Sequence, residues 1–240
     1  MKFLLTLLTM IISSTALSAA TETKTFDINN LKELEISAEV SKVSVATTKA
    51  DKATVIFTKN KVDKNCKISA EKVENELRIK TEQTSKLFKN ACDVDITVQV
   101  PKDLNVEIKV GMGKIGIVGT QGEVDFQIGK GEVNVDGIIS EVEGKTGQGN
   151  VVIKGLVGDA EIRTGNGDVN LTYSTVPTKG EAKIKTGKGN TVVTVPKNSK
   201  VTTALKAGHG SSKNEVGETP KAGFKISMDV GMGDLLVKAL

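Results

Sequence analysis

The sequence is poor in the large rings on which most globular cores are built. Its 240 residues include no tryptophan, one tyrosine and six phenylalanines, and histidine occurs once, at His209. Glycine is plentiful at 24 residues, and the strand-forming residues valine and isoleucine are common. This composition argues against an ordinary globular core and favours a chain made mostly of β-strands.

The charge balance gives no case for a nucleic-acid partner. Lysine and arginine number 33 against 29 acidic residues, a net charge of +4, and Lys2 is the one charge in the first twenty residues. A chain without that segment carries +3, which is too weak a charge to indicate phosphate-backbone binding. Beyond the first twenty residues no stretch is apolar enough to span a membrane.

The first twenty residues have the layout of a secretory signal peptide. Lys2 is followed by an apolar stretch, Phe3–Ile12, and then by small residues up to Ala20. We expect cleavage after Ala19 or Ala20, so that residues 1–20 are removed. The alternative is an N-terminal membrane anchor, but the apolar stretch is shorter than the roughly 20 residues that span a bilayer. The sequence therefore predicts export to the periplasm or the cell surface.

The two cysteines are Cys66 and Cys92. In an oxidising compartment an isolated pair favours a disulfide, worth on the order of 3 kcal/mol, over two unrelated thiols. Two thiols do not complete a tetrahedral metal shell, and His209 is far away in sequence. We predict a disulfide, and we expect no metal and no cofactor.

A Gly-x-Gly pair occurs seven times in the second half of the chain. The pairs are Gly111/Gly113, Gly129/Gly131, Gly147/Gly149, Gly165/Gly167, Gly187/Gly189, Gly208/Gly210 and Gly231/Gly233. The first four pairs are evenly spaced, and the later spacings are slightly longer. A period of about 20 residues that tolerates insertions is typical of a solenoid, in which stacked units bury apolar faces that one unit cannot bury alone.

Most Gly pairs lie next to stretches in which apolar and polar residues alternate. Val133 and Val135 follow one pair, for example, and Ile162 precedes another. The pattern predicts a strand, a Gly-x-Gly corner, a second strand and a looser turn, because glycine accepts positive φ and close backbone approach. Proline cannot donate to a β-ladder and marks the looser turn. The prolines are Pro101, Pro177, Pro196 and Pro220, each ten to twelve residues before a Gly pair.

Residues 21–106 are also β in character but less regular. Val43 and Val45 look like a degenerate copy of the unit without its glycines. Segment 69–77 fits either a strand or the start of a helix. We expect residues 21–106 to form a β cap with the first irregular units, and residues 107–240 to form the repeats of an all-β, single-stranded parallel β-helix. Residues 21–240 would then be one continuous domain.

Two of the repeats carry a resemblance to a known family. Thr146–Ile153 (TGQGNVVI) and Thr164–Leu171 (TGNGDVNL) resemble the repeats of the bacterial "putative adhesin" domains of unknown function, as do Lys24–Asp27 and Val100-Pro101. The resemblance covers roughly residues 24–240, and its weight comes from the seven repetitions. It implies a right-handed β-solenoid in an exported envelope protein, related to head-domain adhesins, and brings no catalytic or binding residues.

Four other motif matches each lack a residue or an element that the corresponding site requires. Gly111–Gly116 matches the dinucleotide fingerprint, but a strand follows it where that fingerprint needs a helix. Gly144–Thr146 resembles the end of a P-loop, but Ile139 stands where the first glycine would be. A calcium β-roll needs an acidic ligand in every turn, and the residue after each Gly pair is polar without being consistently acidic. An ice-binding face needs outward threonines, whereas alternation places Thr146, Thr164 and Thr186 inward or at the corner.

One column of residues is a candidate binding surface. The second residues before the Gly pairs are Lys109, Gln127, Lys145, Arg163, Lys185, Lys206 and Asp229. If the units stack in register these side chains lie about 4.8 Å apart. The five basic ones, which we call the basic stripe, could attract anionic glycans or lipid headgroups. The alternative is a solvated face, because Asp125, Glu143 and Glu161 sit two residues earlier and offset much of the charge.

Three functions follow from these features as expectations. The first is a non-catalytic envelope protein, adhesin-like, that binds a glycan or protein on a cell surface. The second is a periplasmic structural or stress-related protein without an external ligand. The third is a solenoid polysaccharide-degrading enzyme, which needs convergent carboxylates and commonly aromatic sugar platforms. Scattered carboxylates and scarce rings disfavour the enzyme.

Overall fold

The structure, a computed structural model, describes residues 20–84 and 92–240. Sixteen strands form one mixed sheet, and among these residues there is no helix that could cross a membrane. The strands are β1 (Ala20–Asp27), β2 (Glu33–Thr47), β3 (Lys52–Val62), β4 (Cys66–Val73), β5 (Glu76–Gln83), β6 (Cys92–Val100), β7 (Asn105–Val118), β8 (Val124–Gln148), β9 (Val151–Asn166), β10 (Val169–Tyr173), β11 (Gly180–Lys188), β12 (Thr191–Val195), β13 (Thr202–His209), β14 (Ser212–Asn214), β15 (Phe224–Met232) and β16 (Leu235–Ala239). The all-β prediction is confirmed. The predicted signal peptide lies outside the described residues except for Ala20.

The strands form where apolar and polar residues alternate. In β10 the side chains of Val169, Leu171 and Tyr173 are buried, whereas Asn170 is exposed. Successive side chains of a strand point to opposite faces, so this pattern turns one face into the core. The same alternation in the other units builds one apolar core cluster along the stack.

Parallel pairing aligns equivalent positions of successive units. Val133 pairs with Val151, and Val151 pairs with Val169, each one unit further along the chain. Arg163 pairs with Lys185 although the connection between their units is longer. The register is therefore kept where the spacing grows, and the loops take up the extra residues.

The corners require glycine because neighbouring backbones meet there. Gly149 has a φ of +140°, and a Cβ atom on it would lie 1.6 Å from the carbonyl oxygen of Gly131. A Cβ atom on Gly131 would likewise lie 1.7 Å from the carbonyl oxygen of Gly113. No other residue type tolerates both the backbone conformation and the contact.

Gly144 has a different role, in the core. A Cβ atom on Gly144 would lie 2.1 Å from Cζ of the buried ring of Phe126. The glycine makes room for one of the few large rings of this chain. The likeness of Gly144–Thr146 to a P-loop is therefore a consequence of packing.

The last two units stack out of chain order. Strand β15 pairs with β11 on one side and with β13 on the other. Strand β16 likewise lies between β12 and β14. The final unit of the chain is thus internal, and the unit of β13 and β14 forms that end of the stack.

At the other end, β2 is the degenerate repeat that the sequence predicts. It pairs with β7 so that Ser41 lies beside Gly113 and Val43 beside Ile115. On its far side β2 pairs with β5 and β6. Ser41 fits the corner because it is buried and its hydroxyl donates to the carbonyl of Val94 at 2.7 Å.

The N-terminal part differs from the parallel units because antiparallel strands extend it. Strand β1 pairs with β3, β3 with β6, and β4 with β5, all antiparallel. Strands β4 and β5 form a hairpin with Glu74 at a φ of 54° in its turn. The helix alternative for segment 69–77 is therefore wrong.

Cys66 and Cys92 form the predicted disulfide, with Cα atoms 5.0 Å apart. Cys66 begins β4 and Cys92 begins β6, two strands that do not pair with each other. The disulfide links β4, which pairs with β5, to β6, and both β5 and β6 pair with β2. For a sequence separation of 26 between the cysteines, a stabilisation of about 3 kcal/mol is expected.

The three aligned threonines lie inside the stack. Thr146 pairs with Thr164, and Thr164 with Thr186, and each is 3–5% exposed. Within the described residues the hydroxyls of Thr146 and Thr164 have no hydrogen-bond partner. The Thr186 hydroxyl lies 3.1 Å from that of Thr191. These threonines are structural, as the alternation predicts.

Replacing Thr164 with valine is expected to raise the free energy of unfolding by about 1 kcal/mol, because an unpaired buried hydroxyl is exchanged for a methyl group of similar size. Thr186→Val is the matched control. It is expected to lower the free energy of unfolding by about 1 kcal/mol, because it removes the hydrogen-bond partner of the buried Thr191 hydroxyl. Urea unfolding of both variants measures the difference. Equal destabilisation by the two substitutions would show that the Thr164 hydroxyl has a partner.

Candidate functional site

The central part of the basic stripe is continuous. Lys145 pairs with Arg163, and Arg163 pairs with Lys185. Their side chains lie on the outward face of neighbouring strands, about 4.8 Å apart. With Gln127 and Asp229 they line an open groove of about 600 Å³. The structure thus brings together three of the five predicted residues.

The other two residues of the stripe stand apart from this centre. Lys109 pairs with Gln127, which is uncharged. Lys206 is separated from Lys185 by Asp229, which pairs with both. The exchange of the last two units creates this second interruption, because stacking in chain order would place Lys206 beside Lys185.

Three residues of the stripe are neutralised by a carboxylate two positions earlier on the same strand. The ion pairs are Lys109–Glu107, Lys145–Glu143 and Arg163–Glu161. The hydrogen bond from Lys145 lowers the pKa of Glu143 and raises that of Lys145. Lys185 and Lys206 form no ion pair within the described residues. The stripe therefore keeps uncompensated charge only at its C-terminal end.

An acidic column runs beside the stripe. In stacking order it comprises Glu35, Glu107, Asp125, Glu143 and Glu161. Asp125 forms no ion pair among the described residues, because Gln127 occupies the position where Lys145 accompanies Glu143. Burial raises the pKa of Asp125, and the nearby charges of Glu143 and Glu107 raise it further. The column therefore neutralises most of the stripe, and Asp125 adds a negative charge without an ion pair in the described structure.

Asp125→Asn is expected to stabilise the protein near pH 7 by about 0.5 kcal/mol. The folded-state pKa of Asp125 lies above its unfolded value. Ionised Asp125 therefore opposes folding above the folded pKa. At pH 3, below the unfolded pKa of about 3.9, the carboxyl group is protonated in both states and the effect vanishes. Glu143→Gln should have the opposite sign near pH 7, because the pKa of Glu143 is lowered. Urea unfolding at both pH values checks this, and the same sign for both variants would contradict it.

A carboxyl pair at the N-terminal end was missed from the sequence. A hydrogen bond with Glu76 raises the pKa of Glu35, while Arg78 lowers the pKa of Glu76. The two glutamates line a depression of about 270 Å³ together with Glu107 and Asp125. No spacing in the sequence indicates this contact, because β5 meets β2 only through the out-of-order stacking of the first units.

Charge is divided unequally along the stack. Residues 172–240 contain eleven lysines and five acidic residues, a net charge of +6. The remainder of the chain after residue 19 carries −3. An anionic partner is therefore attracted to the C-terminal third and repelled from the remainder.

Four lysines of this third surround one depression of about 420 Å³, and we call them the C-terminal lysine cluster. They are Lys183, Lys185, Lys206 and Lys225. Lys225 lies 3.7 Å from Glu181 and Lys183 lies 3.6 Å from Glu161. Glu181 and Asp229 also line the depression, and Lys185 and Lys206 form no ion pair within the described structure, so lysines outnumber carboxylates four to two.

The polar column after the Gly pairs has a structural explanation. The N–H of Asp168 donates to Oδ1 of Asn150 at 2.9 Å, and the N–H of Asn190 donates to Oδ1 of Asp168 at 2.7 Å. The N–H of Asp234 continues the ladder to Asn190 at 2.9 Å. From Asn150 onward the column has short polar side chains, because their oxygens satisfy backbone N–H groups of the next unit.

No family model matches the chain, and no curated protein matches it. Among solved structures it is similar to a putative cell adhesion protein from Clostridium sporogenes, at 15% identity and a TM-score of 0.41, covering 92% of this chain and 100% of that one. It is also similar to a putative adhesin from Bacteroides fragilis, at 10% identity, a TM-score of 0.42, and coverage of 92% and 97%.

A putative lipid binding protein from Parabacteroides distasonis is similar at 12% identity and a TM-score of 0.31, covering 92% of this chain and 96% of that one. The adhesin names agree with the resemblance stated from the repeats, and none of these names indicates a catalytic family. Because every one of these TM-scores is below 0.5, the function of this chain has to be inferred from its own residues.

Proposed function

We propose that this chain is an exported, non-catalytic, adhesin-like binding protein, built as a right-handed parallel β-solenoid, which holds an acidic glycan on its C-terminal lysine cluster. The observation that carries the proposal is the concentration of lysines, two of them without an ion pair in the described structure, at one end of a face on which the other basic residues are neutralised. The parallel, in-register pairing from β2 to β16 supports the solenoid. The right-handedness of the proposed solenoid is inferred from the family resemblance.

The charge pattern favours a glycan with widely spaced acidic groups. Lys185 and Lys206 flank Asp229, so they lie two strands apart, about 10 Å. This distance is close to the length of a disaccharide, and Asp229 between them disfavours a negative charge on every sugar. An extended chain lying along the stack can meet both lysines at once.

Export is supported by the apolar N-terminal stretch after Lys2 and by the Cys66–Cys92 disulfide, which persists in an oxidising compartment. A non-catalytic role is proposed because Glu107, Glu143 and Glu161 are engaged in ion pairs and the aromatic rings that commonly hold sugars in such enzymes are scarce. A periplasmic role without an external ligand is the outcome if no glycan binds.

Binding to hyaluronate, which has one carboxylate per disaccharide, and to neutral dextran tests the proposal by calorimetry. We expect binding to hyaluronate alone. The double variant Lys185→Gln/Lys206→Gln should bind about tenfold more weakly. The matched control is Lys109→Gln/Lys145→Gln, which removes the same charge from the same stripe but from lysines already paired, and should change the affinity less than about twofold. Equal losses, or no binding by the unaltered chain, would overturn the proposal.

A further inference from the structure

Three proline-containing loops converge at the C-terminal end of the stack. They precede β11, β13 and β15 and span residues 174–179, 196–201 and 215–223. The third loop lies between the other two, because β15 pairs with both β11 and β13. Together they line a cavity of about 600 Å³, which we call the proline-loop groove. It is separate from the C-terminal lysine cluster.

The loops are held against one another by backbone contacts. The N–H of Gly180 donates to the carbonyl of Gly223 at 3.2 Å, and the N–H of Thr219 donates to that of Val201 at 2.9 Å. A Cβ atom on Gly223 would lie 2.1 Å from the carbonyl oxygen of Thr178. Glycine at 223 thus permits the close approach of the first and third loops.

Buried residues at the loop ends make a rigid base. Tyr173 ends β10 and Phe224 begins β15, and their rings pack edge to face with centroids 5.3 Å apart. Both are fully buried. The first and third loops are therefore anchored on one aromatic pair, in a chain that has few rings.

The groove collects positive charge without a compensating carboxylate. Lys197, Lys200 and Lys221 line it, and none of them forms an ion pair within the described residues. The lining contains no acidic side chain, and Thr178 and Ser174 add hydroxyl groups. Lys221 has a φ of 67°, a left-handed conformation that lysine adopts at a cost and that is often kept at binding sites.

We propose that the proline-loop groove binds the phosphate dianion of a phosphorylated sugar. Three ammonium groups match a dianion better than a carboxylate, which would leave two of them uncompensated. Lysine serves phosphate as a point charge, and hydroxyl groups hydrogen-bond both to phosphate and to sugar. Pro177 and Pro196 provide apolar surface for the ring of the sugar, and the volume lies in the range of small-molecule sites. This site does not depend on the proposed glycan function.

Amide chemical shifts of the folded chain, titrated with inorganic phosphate, glucose 6-phosphate and acetate, test the proposal. We expect glucose 6-phosphate to shift the amides of residues 197–200 and 221–223, phosphate to shift them more weakly, and acetate to have little effect. Lys197→Gln/Lys200→Gln should weaken binding about tenfold. Lys130→Gln/Lys154→Gln, with the same charge loss on exposed strand positions outside both sites, should leave it unchanged.

Vesicles of phosphatidylcholine with phosphatidic acid distinguish the source of the phosphate. Capture of the chain on these vesicles, lost in the loop variant, supports a phosphate carried on a lipid, and binding of glucose 6-phosphate alone supports a soluble sugar. The proposal would be overturned if Lys197→Gln/Lys200→Gln and the control variant weakened phosphate binding equally. Acetate binding as tight as phosphate binding would also overturn it. Hyaluronate binding by the loop variant remains a separate readout, so failure of this site is distinct from failure of the glycan site.

Discussion

Replacing Gly149 with alanine is expected to lower the free energy of unfolding by about 4 kcal/mol, which combines left-handed backbone strain with an overlap that the packed stack cannot relieve. The added Cβ atom would lie 1.6 Å from the carbonyl oxygen of Gly131, and the φ of Gly149 is +140°. The neighbouring unit is held by strand pairing on both sides of the corner. Relief of the contact therefore requires two units to separate.

Gly217→Ala is the matched control. Gly217 also has a positive φ, +87°, but a Cβ atom on it would meet nothing within 4 Å. This substitution carries only the backbone cost, about 1 kcal/mol. Urea unfolding monitored by circular dichroism measures both variants. Equal destabilisation would show that backbone conformation alone, and not stacking, explains the glycines of the corners.

Leu235→Ala is expected to lower the free energy of unfolding by about 3 kcal/mol, as for other fully buried leucines. Leu235 is 1% exposed because its side chain faces the core, and its strand lies between β12 and β14. The adjacent Leu236 points outward and is half-buried. Leu236→Ala should cost less than about 1 kcal/mol.

Hydrogen exchange shows whether the last unit is internal. In Leu235→Ala the amides of β12 and of β14 should both lose protection, since β16 separates these strands. A loss confined to β12 would place β16 at the end of the stack and contradict the exchanged order. Equal stability of the Leu235 and Leu236 variants would contradict the burial of Leu235.

The sequence predicts most of the strand pattern because each unit encodes its own alternation and corner. Val43 and Val45 could be aligned with the repeats although their unit lacks glycine, and the structure confirms the alignment. The exchange of the last two units was not predicted, because the Gly pairs at Gly208 and Gly231 are alike. The units differ after the pair: Ser212 and Asn214 follow the first where Leu235 and Val237 follow the second, and the polar unit forms the end of the stack.

The candidate sites were predicted only in part. The acidic residues expected to offset the stripe include Glu143 and Glu161, which do form ion pairs. Asp125 forms none in the described structure, and Glu107, which the sequence did not single out, pairs with Lys109. The proline-loop groove was not predicted, because prolines mark three separate turns in the sequence and nothing in their spacing shows that the turns enclose a cavity.

The exposure of the chain on cells that produce it tests the proposed function most directly. Cells expressing a tagged chain are fractionated, and intact cells are treated with an external protease. We predict that the protein is cut on intact cells or released into the medium, with the signal peptide removed. A protein that is soluble, protected from the protease and cut only after the envelope is opened would contradict an adhesin-like role.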